Sequence, residues 1–293
     1  KYMLLIIMIF KILLITSIYL INNVNSYNLI PNVRTRRLNT RKEVTVYEPN
    51  WTDKTTPSVM LFTGADGIIP PEIYNEFLSQ LSSERISVHV GINDEDSIRE
   101  ELEYMENNYS NITLVGHSSG CMGAIKACLN NNNIKQLILM DPVDNRIFTD
   151  FLKTMIKNNL PFFKDERSIQ LSSIDKGVII NAARAYEWNI YPLRVPFIPT
   201  FSLKPDDLDF SDTQVVYIEA KDYGHADIVD RRWSNIMHST AIVGNDNRSL
   251  ESLNVYKEWL SKIISSVVYP VDDINKEIKD YGVNYKIKSG WYN

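Results

Sequence analysis

Cysteine is nearly absent from this chain of 293 residues: Cys121 and Cys128 are its only two. On the helix predicted there they lie about 10 Å apart along the axis, beyond the reach of a disulfide. A disulfide framework is excluded, so stability must come from a hydrophobic core, which a 44% apolar composition can supply. Neither thiol stands where a catalytic thiolate is needed. Basic charge is also short. With a net charge of −5 and a pI near 5.5, the chain has no field for gathering phosphates, which argues against nucleic acid as a partner. Histidines number four, and no His/Cys/Glu cluster has ligand spacing, so no metal or organic cofactor is expected. No repeat or shift of composition divides the chain, and one catalytic domain is expected.

Glycine is sparse as well, with 11 residues, yet two of them bracket a serine in Gly116-His-Ser-Ser-Gly120. Ahead of this G-x-S-x-G lie Ile112, Leu114 and Val115, suited to a buried parallel strand. Behind it Met122, Ala124, Ile125 and Leu129 suit a helix over 119–129. Strand, sharp turn and helix make a nucleophile elbow, in which the residues two before and two after the serine must lack bulk. The reading makes Ser118 a nucleophile and the backbone N–H of Ser119 an oxyanion donor, aided by the positive end of the helix. The alternative is an ordinary tight turn.

Strands and helices alternate around this motif. Glu43–Tyr47 reads as an edge strand, and Ser58–Phe62, Ile86–Val90, Gln136–Met140, Gly177–Asn181 and Gln214–Glu219 as further strands. Helices are expected from Pro70-Pro71 through Leu81, over Asp94–Tyr109 and over Leu250–Val267, with an amphipathic stretch at Arg146–Asn158. Such alternation predicts an α/β fold with a mostly parallel sheet and helices on both faces. Ligands of such sheets bind at the carboxyl ends of strands, where Gly64, Ser118, Asp141 and His225 are predicted to fall.

A serine nucleophile needs an imidazole base. In this fold class the chain order is serine, acid, histidine, which sets aside His89 and His117 and leaves His225 and His238. His225 follows a strand, and Gly224 frees its loop; His238 reads as a surface residue and His89 as an ordinary strand residue. The acid is expected at Asp141, directly after Gln136–Met140, with Asp144 as the alternative and Asp206 or Asp207 behind it. For the second oxyanion donor the N–H of Ala65 is the choice, the competing view being that Gly64 and Gly67 only make turns.

The amino terminus is another material. Met3–Ile21 is apolar except for Lys11, and small residues follow at Val24-Asn25-Ser26, so residues 1–26 read as a secretory signal, or as an uncleaved anchor over residues 3–21. A secreted or membrane-anchored, glycosylated protein is expected, with N-x-S/T sequons at Asn50, Asn108, Asn111 and Asn247. Residues 27–54, with the basic cluster Arg34, Arg36, Arg37, Arg41 and Lys42, read as a linker and edge strand, although such a cluster also suits an anionic lipid surface. Residues 55–268 form the catalytic domain, and 269–293 a surface extension with a short helix over 272–279.

Three segments carry a family resemblance: Gly-His-Ser-Ser-Gly at 116–120, Asp-Pro-Val-Asp at 141–144, and Lys-Asp-Tyr-Gly-His-Ala-Asp-Ile-Val-Asp at 221–230. The chain resembles the chlorophyllase branch of the α/β-hydrolase superfamily, which is similar to plasma-type platelet-activating-factor acetylhydrolases and cutinase-like polyesterases. The resemblance implies an α/β-hydrolase fold, with Ser118 as nucleophile, Asp141 as acid and His225 as base, hydrolysing a carboxylic ester. Where such enzymes have His-Gly in the oxyanion loop this chain has Thr63-Gly64, with Ala65 for a bulkier residue, so the wall of the pocket differs. Residues 184–201, dense in aromatics and prolines, suit an apolar wall or lid over a lipophilic ester, or a loop packed on the domain edge. A phospholipase or acetylhydrolase, and a retired hydrolase scaffold used for binding, are the rival expectations.

Overall fold

The computed structural model describes residues 32–64, 67, 69–142, 169–170, 176–182, 208–209, 214–231, 233, 249–269, 271 and 273–289. Among these, nine strands form one sheet in the order β1-β2-β4-β3-β5-β6-β8-β10-β11. They are β1 (Val33–Arg37), β2 (Glu43–Tyr47), β3 (Ser58–Phe62), β4 (Ser87–Val90), β5 (Ile112–His117), β6 (Gln136–Met140), β8 (Lys176–Ala182), β10 (Gln214–Ala220) and β11 (Tyr285–Ser289). The six from β4 to β10 run parallel, and antiparallel pairs flank them. Two short strands, β7 (Ile169–Gln170) and β9 (Leu208–Asp209), pair apart from it. The protein is an α/β fold with a mostly parallel central sheet.

The helices are α1 (Asn75–Ser83), α2 (Glu95–Asn108), α3 (Gly120–Asn130), α4 (Leu250–Val268) and α5 (Ile274–Ile278). Pro71–Tyr74 forms a 3-10 turn before α1, because the two prolines start a helical path without supplying its hydrogen bonds. Side-chain caps mark the starts of α2 and α4, where Asp94 accepts from the N–H of Ser97 and Ser249 from that of Ser252. Strand periodicity sends alternate residues to opposite faces. Val44, Val46, Met60, Phe62, Leu114, Leu137 and Leu139 join Leu102 and Met105 of α2 and Cys121, Ala124, Ile125 and Cys128 of α3 in one core. Tyr47, out of phase with Val46, instead donates its hydroxyl to Asn75 of α1. Leu129, expected on the packed face of α3, is 48% exposed.

Both ends of the chain correct the sequence reading. The basic cluster is not a plain linker: Val33–Arg37 is the edge strand, and β2, expected there, lies inside it. A turn over Leu38–Lys42 joins the two. Arg34 donates to both carboxylate oxygens of Glu48, and Arg36 pairs with the buried Glu101 while lying 4.0 Å over the ring of Tyr104. At the other end, the stretch read as a surface extension holds the expected short helix, as α5, and also a strand that was not expected: β11 extends the sheet beside β10, and Tyr285 packs against Trp259. Both strands were hard to read because edge strands carry charge to discourage further pairing. Among the described residues no helix is long and apolar enough to cross a membrane. The expected signal or anchor, the amphipathic stretch at 146–158 and the aromatic segment 184–201 lie outside the described residues.

Candidate active site

The turn between β5 and α3 reverses the chain at Ser118, whose φ is 57°. A non-glycine residue in that region costs of order 1–3 kcal/mol and persists only when its surroundings impose it. Here the N–H of Ser118 donates to the carbonyl of Met140 at 3.0 Å, and the N–H groups of Cys121 and Met122 reach back to the carbonyls of Ser118 and Ser119. Gly116 and Gly120 are needed for room. A Cβ on Gly116 would sit 2.5 Å from the Cα of Cys121, and one on Gly120 2.3 Å from the carbonyl oxygen of Phe62. The close approach brings the loop after β3 to the serine, since a Cβ on Gly64 would lie 3.2 Å from that of Ser118. Ser119 is buried at the N-cap of α3, where the first N–H groups of a helix have no intrahelical acceptor.

Asp141 directly follows β6, also with positive φ at 45°, and its N–H donates to the carbonyl of Ile180 at 2.7 Å. Oδ2 of Asp141 lies 3.9 Å from Nδ1 of His225, with both side chains buried. That is longer than a hydrogen bond, and such contacts often tighten only with substrate bound. His225 follows β10 in a braced loop. The N–H of Gly224 donates to Oδ2 of Asp227 at 2.7 Å, the N–H of Asp230 to the carbonyl of Ile73 at 2.7 Å, and the N–H of Glu76 to Oδ1 of Asp230 at 2.9 Å. Burial, with His117 nearby, holds the pKa of His225 well below the usual imidazole value, so its ring is neutral at pH 7.

No family model matches the chain, and no curated protein matches it. A solved structure described as that of DcsB in complex with its substrate analogue is similar to it at 11% identity and a TM-score of 0.42. That match covers 72% of this chain and 97% of DcsB.

Of the expected site residues, Ser118 and Ser119 follow β5, Asp141 follows β6 and His225 follows β10, all at the carboxyl ends of parallel strands of the sheet. Ala65, Asp144, Asp206, Asp207 and His238 lie outside the described residues. His117, set aside by chain order, is here too: its ring is 4.8 Å from that of His225. His117, Asp141 and His225 offer ligand atoms within 4.8 Å of one another, a grouping that sequence spacing does not reveal. Both nitrogens of His117 are already engaged, with the Tyr74 hydroxyl and the carbonyl of His225, so it would ligate a metal only by giving one up. Cys121 is buried against the carbonyl of Met140, and burial raises its thiol pKa well above normal. Tyr74, Asp227 and Asp230 were missed. Tyr74 reads in sequence as one apolar residue of a helix face, while the aspartates stand two and five positions after His225, the signal that could have found them.

A second serine, histidine and carboxylate are bonded in series. Ser87 Oγ is 3.1 Å from Nε2 of His89, whose Nδ1 is 2.6 Å from Oε1 of Glu101. All three are fully buried, and Arg36 also pairs with the carboxylate. Burial and the nearby arginines lower the pKa of His89 to about 3. This set is a polar tie between β4 and α2, since no substrate reaches a hydroxyl without exposed surface.

Proposed function

We propose that this chain is an α/β-hydrolase-fold serine carboxylic-ester hydrolase, chlorophyllase-like, acting on a lipophilic ester. The left-handed Ser118, at the point where β5 becomes α3 and with its N–H on the carbonyl of Met140 just ahead of the buried Asp141, carries the reading. A positive φ at a buried serine is not selected by packing, and it is the geometry that presents a nucleophile above a parallel sheet. The chain order serine, acid, histidine and the His225 loop support it further.

In the proposed reaction Oγ of Ser118 attacks the ester carbonyl while the neutral imidazole of His225 takes its proton. The oxyanion accepts from the N–H of Ser119 and from an N–H of the loop after β3, assigned by sequence to Ala65. Each such donor is worth about 10²–10³ in rate. Asp141 stabilises the imidazolium, which would otherwise be disfavoured by the same burial that keeps His225 neutral. The imidazolium then protonates the departing alcohol, leaving an acyl ester on Ser118. Water attacks that ester with His225 again as base, releasing the acid and restoring the serine. The lipophilic character of the substrate rests on the aromatic and proline-rich residues 184–201 ahead of the histidine strand.

The test is fluorophosphonate labelling of the protein from residue 27, beside Ser118→Ala, with p-nitrophenyl esters of increasing acyl length. The expected result is labelling and hydrolysis in the wild type, both lost in the variant without loss of thermal stability. Absence of labelling in a folded wild type would overturn the reading.

A further inference from the structure

Three segments meet at the candidate site: the loop after β3, the end of β5 and the His225 loop. One hydrogen-bonded series runs through all three. The N–H of Gly64 lies 3.2 Å from Oη of Tyr74, that Oη lies 2.8 Å from Nδ1 of His117, and Nε2 of His117 lies 3.0 Å from the carbonyl oxygen of His225. Each member is buried.

The polarity of the series is determined at both ends. A carbonyl only accepts, so Nε2 of His117 carries a proton. Burial lowers the pKa of His117 to about 4, so the ring is neutral and Nδ1 is an acceptor. Tyr74 must then donate to Nδ1, and its raised pKa keeps the hydroxyl protonated. Its oxygen is left to accept from Gly64. Every proton has a single place, and the series has no alternative register.

We propose that Tyr74 and His117 form a positioning strut, which sets the main chain of His225 against the serine turn and holds Gly64 at the mouth of the oxyanion loop. It rests on the esterase reading for its catalytic consequence, though the strut itself does not. Neither residue supplies a reacting atom, and Tyr74→Phe leaves the His117 ring in place 4.8 Å from that of His225, so its effect is on geometry. A misplacement of about 1 Å can cost about 10² in rate. Tyr74 and His117 also meet edge-on, with ring centroids 5.6 Å apart, so deleting the hydroxyl alone separates the hydrogen bonds from the packing.

The experiment compares Tyr74→Phe, His117→Phe and His117→Gln with wild type in ester hydrolysis and in ¹⁵N-resolved NMR. Tyr74→Phe and His117→Phe are expected to lower kcat about 10- to 100-fold with KM changed less than about 2-fold. His117→Gln keeps an N–H toward the His225 carbonyl and is expected to recover at least several-fold of what His117→Phe loses. The wild-type His117 ring should show the Nε2–H tautomer, and Tyr74→Phe should shift the amide of Gly64. Unchanged kcat in Tyr74→Phe, equal losses in the Gln and Phe variants, or a Nδ1–H tautomer would each overturn the strut. If the wild type shows no labelling or hydrolysis, the esterase reading fails, and the tautomer with the Gly64 shift still decides the strut.

Discussion

Replacing Gly120 with alanine probes the elbow without touching a reacting group. The added Cβ would lie 2.3 Å from the carbonyl oxygen of Phe62 and 2.4 Å from that of Thr63, where ordinary contact begins at 3.4 Å. Both obstacles are backbone of β3 and its loop, so no side chain can swing aside. Helix α3 and the loop after β3 must part by about 1 Å beside Ser118. Overpacking of this kind typically costs about 1–3 kcal/mol. At roughly 2–4 °C per kcal/mol for a domain this large, Tm should fall by about 2–12 °C. Gly123→Ala is the internal control, because its Cβ meets a side-chain atom, Cδ1 of Phe62, at 2.9 Å, and that ring can rotate. Calorimetry and fluorophosphonate labelling rates on both variants test the point. Gly120→Ala should lose more Tm than Gly123→Ala and label about 10²-fold more slowly than wild type. If the two variants melt alike and Gly120→Ala labels at the wild-type rate, the close approach assigned to Gly120 is refuted.

Acid should destabilise the protein early. His89, His117 and His225 are buried with pKa values of about 3, about 4 and well below 6.5, against an unfolded value near 6.5. Below pH 6.5 the unfolded chain therefore binds more protons, and stability is lost as pH falls toward the folded values, with His89 and His117 together contributing up to about 3 kcal/mol per pH unit around pH 5 and His225 acting in the same direction. Urea midpoints at pH 7, 6 and 5 check this, and a flat series would contradict it. Removal of residues 270–293 should strip β11 and the buried Ile278 and Val283 from the fold, costing roughly 3–6 kcal/mol of apolar burial and uncovering the β10 edge. The expected outcome is a lower Tm with aggregation, measured by scanning calorimetry and size exclusion; an unchanged Tm would return the tail to the role of appendage.

Much of the interior was legible because it depends on local pattern. Ser58–Phe62 and Gln136–Met140 are apolar runs that only a two-sided parallel sheet buries completely, and the strands have those bounds. Asp94 announces α2 by its capping chemistry, and the glycines around Ser118 announce a turn without room for side chains. The edges were not legible. Val-Arg-Thr-Arg-Arg has no apolar period, and its arginines find Glu48 and Glu101 only after folding places those acids beside them.

By itself the sequence determined the alternation of strands and helices, the α/β class and the position of the serine turn, because each follows from neighbours a few residues apart. Tertiary structure alone decided the rest. It placed His225 within 3.9 Å of Asp141 from strands distant in the chain, turned Tyr74 from a core residue into a hydrogen-bonding bridge, and sealed Ser87, His89 and Glu101 away from solvent although their bonding imitates a catalytic series. Hydrogen bonds and burial between distant segments depend on how the sheet stacks its strands, and periodicity along the chain carries no record of that order.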